Sequence, residues 1–259
     1  MSIIQVNHIE LYYEEYGDGS VPIVFGHGFL SSLQMWKHLF IDYMPNSYHA
    51  YAWDMRGHGR SCHIKQGCNI IQLADDLYHF IQHLKLAPCI YVGLSMGGGV
   101  GLQLALNNPA VLKGMVLMNT VSGFGLLGPT LGMKLMQFIA GKRWLLKPLL
   151  KSMFIHSPSE QILENMINDA ILVSRETFAQ WLNPSNTIEN MDRLREMDVP
   201  TLVMIGENDK VLPVNRQHRL ADTLPNAEKI VFNNQGHAMI AEIPKEVFQS
   251  VYQFTEKLL

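Results

Sequence analysis

Gly93-Leu94-Ser95-Met96-Gly97 is the stretch whose residue types and spacing speak most directly of chemistry. It follows an apolar run, Cys89 to Val92, and opens a helical pattern, Met96 to Asn107. A serine between two glycines at such a junction fits a strained strand-to-helix turn that exposes the hydroxyl. The helix N-terminus behind it offers unpaired N–H groups to an oxygen developing negative charge. A nucleophilic serine needs a base, and the base needs an orienting acid. Eleven histidines are available, so position decides. His237, in Asn234-Gln235-Gly236-His237-Ala238, stands between the last strand pattern and the last helix pattern. Asp209, in Gly206-Glu207-Asn208-Asp209-Lys210, directly follows the strand pattern Thr201 to Ile205. Strand C-termini of an open α/β sheet gather on one edge, where ligands bind, so all three residues are expected there. Glu207 is a competing acid, and the turn that follows Asp209 favours Asp209. Upstream, Gly26-His27-Gly28-Phe29 ends another strand pattern, and its glycines would let the Phe29 N–H face Ser95. With the Met96 N–H it makes two donors for a tetrahedral intermediate. His27 is a competing base.

The elements that must position these residues are legible as alternating patterns. Short apolar runs read as strands: Ile9 to Tyr16, Val21 to Phe25, Ala50 to Trp53, Cys89 to Val92, Gly114 to Asn119, Thr201 to Ile205 and Lys229 to Phe232. They alternate with helical stripes, the signature of a mostly parallel sheet flanked by helices. The turn Gly17-Asp18-Gly19-Ser20 predicts an antiparallel return between the first two runs. Ile70, Leu73, Leu77, Phe80, Ile81 and Leu84 form one stripe, with Asn69 placed to cap it. Val247, Phe248, Val251, Phe254 and Leu258 form another, entered through Pro244. Between Val121 and Asn190 the strand pattern gives way to Leu, Met, Phe and Trp at helical spacing. A core of residues 1–120 and 191–259 with a helical lid over 121–190 is therefore expected.

Composition narrows the class. The chain has 259 residues, 47% hydrophobic and 17% charged, which suits a soluble globular protein with a sizeable core. A net charge of −3 gives no basic footprint for nucleic acid. Met1 to His8 lack a basic region followed by an apolar stretch, so no secretory signal is expected. The greasiest region, Leu131 to Ile155, is broken by Lys134, Lys142, Arg143, Lys147 and Lys151, and does not read as a membrane span. Cys62, Cys68 and Cys89 match neither a disulfide framework nor a zinc pattern. Free thiols and a cytoplasmic location follow, with no metal and no cofactor expected.

Several motifs in order now carry a resemblance. They are His27-Gly28-Phe29 with Trp36 downstream, Asp54-Met55-Arg56-Gly57-His58-Gly59-Arg60-Ser61, Gly93 to Gly97, Gly206 to Asp209, and Gly236-His237. Together they resemble the α/β-hydrolase superfamily, in the branch of bacterial aryl esterases and cofactor-free haloperoxidases. The resemblance implies an eight-stranded, mostly parallel sheet with a helical lid. It implies Ser95 as nucleophile, His237 as general base and acid, Asp209 as its partner, and the Phe29 and Met96 amides as oxyanion hole. Arg56 and His58 are expected in a structural loop, with side chains paired to backbone. Leu30-Ser31-Ser32 stands where the aryl-esterase branch often carries a proline, which speaks against perhydrolase activity. Serine at the nucleophile position speaks against haloalkane dehalogenases and epoxide hydrolases.

The expected function is hydrolysis of a carboxylic ester, or related acyl compound, with an apolar acyl or aromatic group. Met133, Met136, Phe138, Trp144, Leu145, Met153, Phe154 and Met166 make the lid apolar and adaptable. Each serves either as pocket wall or as packing between lid and core. The basic residues from Lys134 to Lys151 are expected to form a solvated face, with an interfacial, lipid-seeking lid as the alternative. Lactone, thioester or carbon–carbon hydrolysis, a non-hydrolytic lyase, and a ligand receptor are the alternatives on the same site. The partner is a small-molecule acyl substrate, with no nucleic acid and no stable membrane association. Oligomeric state is not readable.

Overall fold

The computed structural model describes residues 2–39, 43–64, 66–122, 137–183 and 186–259. Its frame is an eight-stranded sheet: β1 (Ser2–Val6), β2 (Ile9–Tyr16), β3 (Val21–Gly26), β4 (Tyr48–Trp53), β5 (Cys89–Leu94), β6 (Leu112–Met118), β7 (Thr201–Gly206) and β8 (Ala227–Phe232). The spatial order is β1-β2-β4-β3-β5-β6-β7-β8. β1 and β2 are antiparallel to each other, β2 is antiparallel to β4, and every pairing from β4 to β8 is parallel. Strand boundaries move by a residue or two from the sequence reading, and β1 was not read at all.

One expectation fails. β2 and β3 do not form a hairpin, because β4 lies between them. The Gly-rich turn instead crosses the start of β4, where Gly19 N–H donates to Tyr48 O at 3.3 Å and Val21 N–H to Ser47 O at 3.1 Å. Gly17 sits at φ 76°, and a Cβ there would come within 2.7 Å of Tyr48 O. The glycines serve close crossing and not a tight return. β3 is apolar on both faces, so it gains more by lying inside the sheet between β4 and β5 than by hairpin pairing with β2.

The parallel strands alternate their side chains between two cores, one on each face of the sheet. Tyr91, Met115, Leu117, Val203 and Ile205 point to one side, and Ile90, Val92, Val116, Met118, Leu202 and Met204 to the other. The first face is covered by α2 (Ile70–His83) and α3 (Met96–Asn107). Trp36 of α1 (Gln34–Leu39) covers the second, with Val247, Val251 and Phe254 of a C-terminal helix, Pro244–Glu256. Asn69 caps α2 as expected, its side chain accepting from Gln72 N–H at 3.0 Å. Between β6 and β7 lie α4 (Arg143–Lys151), α5 (Glu160–Ala170) and α6 (Arg175–Trp181). The readings made for Met133, Lys134 and Met136 fall outside the described residues. After β7 come α7 (Val214–Thr223), then past β8 α8 (Met239–Glu242) and the Pro244–Glu256 helix, α9.

Register sets the site. Gly26 pairs with Gly93, Leu94 with Met118, Met118 with Met204, and Gly206 with Phe232. Strands β3, β5, β6, β7 and β8 therefore end level, and the loops after them leave from one edge.

Candidate active site

Ser95 is the first residue past β5 and the N-cap of α3, with φ 54° and ψ −110°. That left-handed conformation costs a non-glycine residue about 1–3 kcal/mol, so the surroundings must impose it. They do so through the backbone. Ser95 N–H donates to Met118 O at 2.9 Å, while Ser95 O accepts from Val121 N–H at 3.1 Å and Gly99 N–H at 3.2 Å. The flanking glycines answer to space. A Cβ on Gly93 would lie 2.5 Å from Gly97 O, and one on Gly97 would overlap Gly26 O. The turn is thus wedged between its own helix and the end of β3.

Asp209 and His237 meet at this edge. Asp209 Oδ2 accepts from His237 Nδ1–H at 2.8 Å, and both side chains are buried. The carboxylate is filled on every side. Oδ1 takes Val211 N–H at 2.7 Å and Leu212 N–H at 3.0 Å, and Oδ2 also takes Gln217 Nε2–H at 3.1 Å. Burial alone would raise its pKa, but the His237 charge, the His237 hydrogen bond and the backbone donors outweigh it and hold Asp209 below the usual carboxylate value. Glu207, the competing acid, is an exposed residue 3.2 Å from His218 Nε2. With Nδ1 engaged, His237 has only Nε2 left for other work, and His237 lines the same cavity as Ser95.

The loop after β3 passes over Ser95 so closely that a Cβ on Gly28 would lie 3.5 Å from Ser95 Cβ. His27 fixes this loop. Its Nε2 accepts from Met55 N–H at 3.0 Å, so Nδ1 carries the proton and donates to Gly28 O at 2.8 Å. Burial pushes His27 down to about 4. Both ring nitrogens are occupied by backbone, which leaves neither for Ser95. The Phe29 ring stacks on Trp181 at 5.5 Å and meets Phe178 edge-on at 5.0 Å, so α6 holds the loop from above. Met96 supplies the first amide of α3, a group with no partner inside the helix.

The Asp54 to Ser61 loop buttresses this arrangement. Asp54 accepts from Leu33 N–H at 2.7 Å and Arg60 N–H at 2.8 Å, and burial raises its carboxyl to about 6. His58 Nδ1 lies 3.1 Å from Arg56 O, as expected of a structural side chain. Arg56 meets the expectation in part: Nη1 donates to Gln66 O at 3.4 Å, while Nε at 2.5 Å and Nη2 at 2.6 Å reach Asp76 in a buried side-chain pair.

A cavity of about 310 Å³ opens at Ser95 and His237. Its roof comes from α4 and α5 and the segment between them: Leu150, Met153, Phe154, Ile162 and Met166. Met153, Phe154 and Met166 are therefore pocket wall, whereas Phe138 and Trp144 are 53% and 71% exposed and face outward. Asn165, Asn168, Gln34 and Arg60 add polar groups to the lining. The basic side chains of α4 lie on an exposed face, where Arg143 pairs with Glu164 and Lys147 with Glu160. Among the described residues, no group of three or more His, Cys, Asp or Glu side chains is placed to hold a metal ion, and no helix is long and apolar enough to cross a membrane.

The family model described as serine aminopeptidase, S33, matches residues 20–244. The chain belongs to that family of α/β hydrolases. Among relatives of this hydrolase, a non-heme haloperoxidase of Rhodococcus erythropolis is 26% identical, over 95% of this chain and 96% of the relative. The 3-oxoadipate enol-lactonase 2 of Acinetobacter baylyi is also 26% identical, over 80% of this chain and 78% of its own. Among solved structures, one described as Est816, an N-acyl homoserine lactone degrading enzyme, is 29% identical with a TM-score of 0.81. It covers 98% of this chain and 100% of its own. An esterase from Exiguobacterium antarcticum reaches a TM-score of 0.89 at 22% identity, covering 98% and 99%, and shares the fold.

Sequence reading missed two buried side chains of this hydrolase that touch the site residues. Gln217 contacts Asp209, and Asn119 contacts the His237 loop. Asn119 left a faint signal, a polar residue ending an apolar strand on the edge where Ser95 emerges. Gln217 left none, because α7 carries several polar residues.

Proposed function

We propose that this hydrolase cleaves a carboxylic ester, or a related acyl compound such as a lactone, that carries an apolar acyl or aromatic group. The observation that supports it best is the 2.8 Å Asp209–His237 bond, made by a histidine that shares a cavity with Ser95. In this reading His237 Nε2 removes the Ser95 proton and Ser95 Oγ attacks the carbonyl carbon. The Phe29 and Met96 amides receive the oxyanion. His237 then protonates the leaving alcohol. Water, deprotonated by His237, attacks the acyl-enzyme, and His237 returns that proton to Ser95 Oγ as the bond to the acyl carbon breaks and the acid leaves. Asp209 stays ionised throughout and stabilises the imidazolium. The apolar roof of Leu150, Met153, Phe154, Ile162 and Met166 would receive the acyl arm.

Purified Ser95→Ala is expected to lose ester hydrolysis by about 10⁴-fold or more while remaining folded. Unchanged turnover of a p-nitrophenyl ester would overturn the reading. The lactone reading draws support from the two lactone-degrading relatives and from polar groups, Asn165 and Asn168, beside the apolar roof. Ranking kcat/KM over matched esters, thioesters and lactones separates these substrates. We also propose a cytoplasmic setting, which suits the three free thiols Cys62, Cys68 and Cys89.

A further inference from the structure

We propose that Asn119 is a positioning residue that fixes the acid and histidine loops relative to Ser95, an inference that rests on the catalytic reading of Ser95, Asp209 and His237. Asn119 is the first residue past β6, fully buried, with φ 39°. Its neighbour Met118 accepts the Ser95 N–H at 2.9 Å, and its own N–H donates to Met204 O of β7 at 2.9 Å. The backbone here is therefore tied to the nucleophile turn on one side and to the strand leading to Asp209 on the other.

The side chain completes the bracket. Asn119 Oδ1 accepts from Gly206 N–H at 2.7 Å, where β7 ends three residues before Asp209. Asn119 Nδ2 donates to Gly236 O at 2.9 Å and to His237 O at 3.1 Å. One donor on one side and two carbonyls on the other allow a single orientation of the amide. Aspartate could accept from Gly206 but has no donors for the carbonyls, and an apolar residue would leave three buried polar groups unmatched. Shape reinforces this, because a Cβ on Gly206 would lie 2.5 Å from Gly236 O. The two loops are in contact, and Asn119 holds both.

The loops have a second connection, Asn208 N–H to Gln235 O at 2.9 Å, and Asp209 still bonds His237. Loss of the Asn119 side chain therefore leaves the acid–histidine pair intact but loosens its placement against Ser95. That difference gives the test its readouts. In the full chain acting on p-nitrophenyl acetate, Asn119→Ala should lower kcat by about a hundredfold, the effect of a misplacement near 1 Å, with KM little changed. The downfield proton resonance of the His237–Asp209 bond should persist in the same sample. Val116→Ala, a buried truncation on the same strand outside the site, should keep nearly full kcat.

Asn119→Ser is too short to reach both loops, and stands in if the alanine variant does not fold. Wild-type kcat in either folded variant overturns the proposal, as does an equal loss in Val116→Ala. Disappearance of the downfield resonance also overturns it, since the pair would then have collapsed and not shifted. Should Ser95→Ala retain hydrolysis, the catalytic reading beneath it fails instead.

Discussion

The sheet edge and the α4–α5 roof face each other across one cavity, yet they are built by different physics. At the edge, Ser95, Asp209 and His237 are buried, and their loops are tied by backbone and amide hydrogen bonds between residues far apart in the chain. In the roof, α4 and α5 bury Leu146, Leu150, Leu163 and Ile167, and on their outer faces Lys147 pairs with Glu160 and Arg143 with Glu164. The roof joins the core through this apolar packing and through hydrogen bonds that include Ser32 Oγ to Asp169 at 2.7 Å, Ala238 N–H to Met153 O at 3.1 Å, and Glu242 Oε1 accepting from the Ile155 and His156 amides at 3.1 and 2.6 Å. α6, though it lies in the same inserted stretch, belongs with the edge. Phe178 and Trp181 clasp Phe29, and Gln180 Oε1 accepts the Cys68 N–H at 3.1 Å. Hydrogen-bonded geometry is concentrated at the edge around Ser95, and apolar side-chain contact in the roof that faces it. We propose that, of the described helices in residues 121–190, α4 and α5 act as the lid.

Substitutions can break this contrast. The largest effect is expected at the edge: Asp209→Asn should lower kcat by about 10⁴-fold while the protein stays folded, because the histidine loses its orienting charge. Glu207→Gln should leave kcat unchanged, and equal losses in both would dissolve the distinction between these acids. The pH dependence has a definite sign. Asp209 is held below the ordinary value of 3.8, so its contribution to stability is complete above that value and is lost as pH falls through the depressed one. Asp209→Asn has no such loss. The stability gap between wild type and variant, read from urea midpoints, should close on acidification.

An intermediate effect is expected in the roof. Ile162→Ala combined with Met166→Ala enlarges the acyl wall. It should raise the octanoyl-to-butanoyl ratio of kcat/KM for p-nitrophenyl esters by about tenfold. Fluorophosphonate labelling of Ser95 should keep its rate. A slower labelling rate would mean that roof and edge are mechanically one unit. The smallest effect belongs to Lys147→Ala. It removes a solvent-screened ion pair, so thermal midpoint and turnover should both stay at wild-type values.

Much of the edge was legible because each residue carries a local signature. Ser95 lies between glycines that only close packing explains, His237 follows the last strand, and Asp209 directly follows the seventh. Helical stripes and the Asn69 cap are likewise local, since they depend on neighbours three or four residues away. The roof was legible only as apolar. Outward Trp144 and inward Met166 look alike in composition, and only packing assigns one to solvent and the other to the cavity.

By itself, the sequence determined which residue types could do chemistry, which short segments form strands and helices, and the order in which Ser95, Asp209 and His237 arrive. Tertiary structure alone decided that β4 separates β2 from β3, that Arg56 reaches Asp76, and that Asn119 bonds the loops after β7 and β8. Periodicity and spacing report contacts within a few residues. The bonds from Asn119 to Gly206, Gly236 and His237 span 87, 117 and 118 residues, and they exist only once the strands have closed into one sheet.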